Sequence, residues 1–228
     1  MKKTVGILGG MGPMATCDLM KKVIEFTNAS CDQEHIHILV DNNTNIPDRT
    51  AAIIGNGADP RPEMIKSAKR LESIGADVII VPCNTAHFFI EDVASSVNVP
   101  FLNMPRETAK TLKQMDIKKV AILATDGTIK SGLYEKELKN EGIEPICPDT
   151  DQQKLIMSLI YDFVKAGKEY PNPEKLIELV EDLKEKGAEG VILGCTELPI
   201  AFENIDLPIV AVSPTDILAK TAVNFALS

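Results

Sequence analysis

Cys83 and Cys195 are the residues whose type and setting most readily do chemistry. Each closes a matching segment: Gly75-Ala76-Asp77-Val78-Ile79-Ile80-Val81-Pro82-Cys83-Asn84-Thr85 and Gly187-Ala188-Glu189-Gly190-Val191-Ile192-Leu193-Gly194-Cys195-Thr196-Glu197. In both, Gly-Ala opens an apolar run and the cysteine follows eight residues after the glycine. A thiol therefore ends a predicted buried strand twice. Paired thiols in repeated segments suit a reaction that needs one acid/base group on each side of a substrate. A helix start lowers the thiol pKa from its usual value of about 8.5; Cys83 is expected just before one and Cys195 at a similar strand end. The bland alternative for a free cysteine is a small buried hydrophobe. That alternative is preferred for Cys17, Cys31 and Cys147, which lack a matched partner. Function is preferred for Cys83 and Cys195.

Polar residues gather where such strands end. Asn84, Thr85 and Thr196 follow the thiols, and their amides and side chains suit a carboxylate at a helix start. Ordinary capping explains them too. Arg49 lies in a polar loop, Asn42–Thr50, and its planar guanidinium suits two-pronged capture of a carboxylate. A lone loop arginine is often only solvated. Lys165, after an amphipathic stretch, is equally ambiguous on its own. Gly9-Gly10-Met11-Gly12 is not GxGxxG and lacks the acidic residue that should follow. It reads as a tight strand-to-helix turn with amides facing a ligand. Met11 there, and Thr128 in the second-half loop Thr125–Thr128, are candidate substrate contacts. His87, four residues after Cys83, either bonds locally or tunes the thiol; His35 and His37 are read as structural. Three scattered histidines and no CxxC give no metal spacing.

Strand-like runs alternate with helical ones throughout. Thr4–Leu8, Ile36–Val40, Val78–Val81, Pro100–Leu102, Lys118–Ala124, Glu144–Cys147, Val191–Leu193 and Ile209–Val212 read as strands. Weak alternation in Ile36–Val40 suggests burial on both faces. Helices are expected over Met14–Phe26, Met64–Ser73, Ala86–Ser95, Arg106–Met115, Leu133–Lys139, Gln153–Val164 and Thr215–Ala226, and around Leu176–Leu183. Such alternation implies parallel sheets with right-handed crossovers. The pattern also restarts. Lys2–Leu8 resembles Lys118–Leu123, the two cysteine segments match, and Val99-Pro100-Phe101-Leu102 resembles Leu207-Pro208-Ile209-Val210, all in the same order. The expected fold is α/β. Two similar domains, each a parallel sheet flanked by helices, are related by a pseudo-twofold axis with the active site between them. Residues 1–98 plus 209–228 form the first domain and residues 99–208 the second.

Composition narrows the function classes. The chain has 228 residues, 44% of them hydrophobic, enough for one large domain or two small ones. A net charge of −9, without a basic cluster, argues against nucleic-acid binding. No stretch approaches the roughly 20 apolar residues of a membrane span, and the apolar run of MKKTVGILGG is too short for a secretory signal. Five unpaired-looking cysteines fit a reducing, cytoplasmic setting.

Ile7-Leu8-Gly9-Gly10-Met11-Gly12-Pro13, Pro82-Cys83-Asn84-Thr85-Ala86-His87 and Gly194-Cys195-Thr196-Glu197-Leu198-Pro199 resemble the aspartate/glutamate racemase family, most closely its cofactor-independent aspartate racemases. The resemblance spans essentially the whole chain. It implies a two-base mechanism without pyridoxal phosphate or metal, commonly in a homodimer, acting on a small dicarboxylic amino acid. By position it makes Cys83 and Cys195 the two bases. Arg49 and Lys165 become ligands of the substrate side-chain carboxylate, and Asn84, Thr85 and Thr196 contacts of its α-carboxylate. The alternatives are a broad-specificity aspartate/glutamate racemase, a related isomerase or decarboxylase, and a non-catalytic dicarboxylate binder. A cysteine hydrolase using Cys83 and His87 would leave Cys195 unexplained.

Overall fold

The computed structural model describes residues 2–228. They divide into two compact units, 2–107 with Thr215–Ser228, and Thr108–Pro214. Each is built on a wholly parallel sheet.

The first unit contains β1 (Val5–Gly9), α1 (Pro13–Phe26), β2 (Ile38–Asn42), α2 (Arg49–Ile54), α3 (Arg61–Ser73), β3 (Val78–Ile80) and α4 (Ile90–Ala94). Its strand order is β2-β1-β3. Side chains alternate across a strand, and the two faces divide accordingly. Val5, Ile7, Val78 and Ile80 pack with Leu19 and Val23 of α1 and with Leu218 and Ala222 near the C-terminus. Leu8, Ile79, Val81 and Cys83 pack with Met64, Ala68 and Leu71 of α3. β1 is central and completely buried. β2 is partly exposed because it is an edge strand, which corrects the expectation of burial on both faces.

α5 (Met104–Gln114) leads into the second unit, which holds β4 (Lys119–Ala124), α6 (Asp126–Ser131), α7 (Leu133–Asn140), β5 (Glu144–Ile146), α8 (Thr150–Ser158), α9 (Glu174–Glu185), β6 (Gly190–Gly194), α10 (Leu198–Ala201) and β7 (Val210–Val212). The order β5-β4-β6-β7 repeats that of the first sheet and adds one strand. In the first unit the counterpart of β7 is a single bridge, Ile79 to Phe101. α9 buries Leu176, Leu179, Val180 and Leu183 against this sheet's core, each worth about 1.5–3 kcal/mol of transfer free energy. The stretch expected as one helix over Gln153–Val164 is α8 followed by a π-helical turn, Leu159–Val164.

The unit limits differ from the domain limits expected from sequence. Phe101 stays beside Ile79, and β7 pairs with β6, so each short fourth strand remains on its own sheet. The chain passes between units within α5 and at the start of α11 (Pro214–Leu227). Among the described residues no helix is long and apolar enough to cross a membrane.

Candidate active site

In parallel sheets of this kind, ligands bind beyond the carboxyl ends of the strands. In the first unit β1 runs there into the glycine turn. Gly10 has φ of +94°, and a Cβ on it would lie 2.2 Å from the Asn43 carbonyl oxygen, so only glycine fits. Its N–H donates to Thr16 Oγ1 at 2.9 Å, tying the turn to α1. Met11 comes next and is buried in the cluster that includes Cys83. Its carbonyl accepts from Arg49 Nη2 at 3.4 Å, while Arg49 Nη1 donates to the carbonyls of Pro47 at 2.9 Å and Ile46 at 3.3 Å. Arg49 was expected in a loop. It is instead the first residue of α2, capped by Asp48, whose side chain accepts from Ala51 N–H. Asp48 is a residue type that offers an oxygen to the helix's orphan amides, so the cap fixes where the guanidinium stands. These acceptors are main-chain carbonyls, and among the described residues its buried Nε has no acceptor.

Cys83 follows β3 and is 7% exposed. The helix expected over Ala86–Ser95 is a five-residue 3-10 turn, Thr85–Phe89, continued by the equally short α4. Asn84 occupies the N-cap position but makes no capping bond with its side chain. Asn84 and Thr85 are both buried beside the thiol. His87 does not reach the thiol chemistry directly. Met104 N–H donates to its Nε2 at 3.1 Å, so the proton sits on Nδ1, which donates to the Cys83 carbonyl at 2.8 Å. Burial pushes this imidazole down to about 4, keeping it neutral. His87 therefore links the thiol's main chain to the start of α5.

Cys195 occupies the corresponding place in the second unit, after β6, and is 8% exposed. A Cβ on Gly194 would press at 3.0 Å on the Leu123 carbonyl, at 3.1 Å on Ala124 Cβ and at 3.4 Å on the Tyr134 ring. Glycine lets β6 run tightly against β4 up to the thiol. Cys195 Sγ donates to Glu197 Oε2 at 2.9 Å, and Thr196 Oγ1 donates to the same oxygen at 3.1 Å. Lys165 Nζ stands 4.0 Å from Glu197 Oε1 and 4.6 Å from the centre of the Tyr161 ring. The π turn places this lysine: Lys165 N–H bonds back to Ile160 at 3.0 Å, five residues earlier. Burial pushes the Cys195 thiol well above its ordinary range; the Glu197 carboxylate adds to this and Lys165 opposes it. The expectation of a helix-lowered thiol fails here. α10 has only four residues, so its dipole is small beside desolvation and an adjacent negative charge.

The structure thus gathers Arg49 and Met11 in one unit, and Cys195, Thr196 and Lys165 in the other. Thr128 is different: it is completely buried, and its amide and hydroxyl face Thr125 Oγ1 at the start of α6, at 3.3 and 3.2 Å. Glu197 is the residue that sequence reasoning missed as a participant, although it stands two residues after Cys195 in the quoted box. Cys17, Cys31 and Cys147 are exposed, which corrects the expectation of burial. Cys17 lies within α1 on its exposed side, and Cys147 just past the end of β5. A groove of about 630 Å³ in the second unit runs along Asp126, Asp149, Gln153, Met157 and Tyr161; neither Cys195 nor Lys165 lines it.

Two parallel sheets flanked by helices match the fold of solved amino-acid racemases. The family model for Asp/Glu/Hydantoin racemase matches residues 8–222, and the chain belongs to that family. It is 30% identical over 228 residues to the broad specificity amino-acid racemase RacX of Bacillus subtilis (strain 168), covering 98% of both chains. It also resembles the solved structure of Picrophilus torridus aspartate racemase, with a TM-score of 0.82 and 32% identity over 98% of this chain and 94% of that one. An aspartate racemase homologue from Pyrococcus horikoshii OT3 superimposes with a TM-score of 0.80 and 26% identity over the full length of both chains. Glutamate racemase from Francisella tularensis subsp. tularensis SCHU S4, at 19% identity and TM-score 0.71, shares the fold.

Proposed function

We propose that this chain interconverts L- and D-aspartate without a cofactor, using Cys83 and Cys195 as its two bases. The observation that carries the reading is the repeated placement of one buried cysteine after the third strand of each sheet. Inverting Cα requires removing a proton from one face and adding one to the other. A single rigid base reaches one face only. One thiolate and one thiol accomplish inversion in a single pass and exchange roles as they do so. General acid–base steps contribute about 10²–10⁴-fold, so charge stabilisation and placement must supply much of the remaining acceleration.

In this reading Arg49 and Lys165 hold the side-chain carboxylate. The Arg49 guanidinium donates to the carbonyls of Met11, Ile46 and Pro47, and Lys165 Nζ stands 4.0 Å from Glu197 and over the Tyr161 ring. Asn84, Thr85 and Thr196 hold the α-carboxylate, and Met11 shapes the turn beside Arg49. Thr128 supports the α6 start rather than touching substrate. The likeness to an aspartate racemase across nearly the whole chain supports aspartate as substrate. The likeness to a broad-specificity racemase supports wider use as a second reading. Chiral chromatography of L-aspartate, L-glutamate and L-alanine incubated with purified protein, thiols kept reduced and no cofactor added, tests both. Aspartate racemised fastest supports the first reading, comparable rates for all three the second, and no inversion of any would refute both.

A further inference from the structure

The two cysteine boxes match in register but differ at one position that touches the chemistry. Two residues after Cys83 stands Thr85; two residues after Cys195 stands Glu197. The difference matters because a two-base racemase has a problem of symmetry. Turnover needs one thiol protonated and one ionised. Two independent thiols with identical surroundings titrate together, and at best about half the molecules carry a single proton between them. Environments that push two like groups apart assign the acid and the base.

We propose that Glu197 is a positioning residue that keeps the proton on Cys195, making Cys195 the proton donor of the resting enzyme and breaking the equivalence of the two thiols. The geometry is direct: Cys195 Sγ–H points at Glu197 Oε2 at 2.9 Å, and Thr196 Oγ1 braces the same oxygen. Lys165 lies 4.0 Å from the other Glu197 oxygen with the Tyr161 ring against it, and Tyr134 of α7 lies near Cys195 and stays a neutral phenol because it is completely buried. Glu197 is thus the negative charge bonded to the thiol. The resistance of Cys195 to ionisation, from burial and then from Glu197, agrees with this. Thr85, at the matching place after Cys83, carries no charge.

The proposal rests on the two-thiol reading, and its test separates the two. Glu197→Gln keeps the size and an acceptor for the thiol but removes the charge. The alkaline limb of kcat/KM for aspartate should move down by about one to two pH units, the size of effect a close like charge exerts, while Glu197→Asp should stay near the unaltered protein. The Cys195 13Cβ resonance, followed against pH, should show the same downward shift in Glu197→Gln. A limb and a resonance that do not move would overturn the proposal. Should Glu197→Gln fail to fold, the unaltered protein decides: a Cys195 midpoint in the ordinary thiol range would overturn it. The resonance reports on Glu197 even if aspartate proves not to be the substrate.

Discussion

At the scale of single residues, the account makes each thiol indispensable in a different way. Cys83→Ala and Cys195→Ala should each lower racemisation at least about 10³-fold, within the range that acid–base groups contribute, while aspartate binding measured by calorimetry stays largely intact. Near-normal turnover in either would show that one thiol suffices. Arg49→Lys keeps the charge but loses the fork, so KM for aspartate should rise about tenfold, in keeping with about 1.5 kcal/mol for a hydrogen bond to a charged group; an unchanged KM would remove Arg49 from the site. The two thiols stand out in the sequence because a reactive type recurs in a repeated setting. Glu197 was harder to see. Its carboxylate matters through a contact with Cys195, and a Thr-Glu pair after a cysteine reads equally well as a helix start.

At the scale of elements, the glycine turn and the histidine link hold the first thiol in place. Gly10→Ala would drive a methyl into the Asn43 main chain and force a left-handed φ on alanine. Its melting temperature should fall by several degrees, roughly what a loss of 1–2 kcal/mol gives in a chain of this size. His87 gives a pH signature with a definite sign. The folded imidazole is held down to about 4, whereas an unfolded one titrates near its model value of 6.5. Stability is therefore full above pH 6.5 and falls as pH drops toward about 4, by about 3 kcal/mol in all. His87→Phe should be less stable than the unaltered protein at pH 7, because the Cys83 carbonyl and the Met104 amide lose their partner. It should also lose that part of the acid dependence. Urea unfolding at pH 7, 5.5 and 4.5 measures both effects, and an unchanged acid slope would contradict the buried neutral imidazole. Strands and long helices were readable from their periodicity. The short pieces beside the thiols were not. A five-residue 3-10 turn, a four-residue α10 and a π turn carry no period long enough to register, yet they set where Asn84, Thr196 and Lys165 stand. β2 misled because edge exposure depends on strand order, which periodicity along one strand does not contain.

At the scale of the whole molecule, duplication is the main fact. The strand orders β2-β1-β3 and β5-β4-β6 repeat, and the cysteines repeat with them. The restart of the sequence pattern pointed to this, while the compact units meet at other residues than the expected domain limits. Short fourth strands look like starts of a new domain, whereas hydrogen bonding keeps each on its own sheet. The central claim is that two thiols, one from each half, exchange the proton at Cα. Early turnover of L-aspartate in D₂O, followed by NMR at Cα and by chiral separation, tests it most directly. The account predicts that newly formed D-aspartate carries deuterium while the remaining L-aspartate keeps its hydrogen, since one group removes the proton and another delivers solvent deuterium. Hydrogen retained in the product, or equal deuteration of both pools from the start, would contradict it.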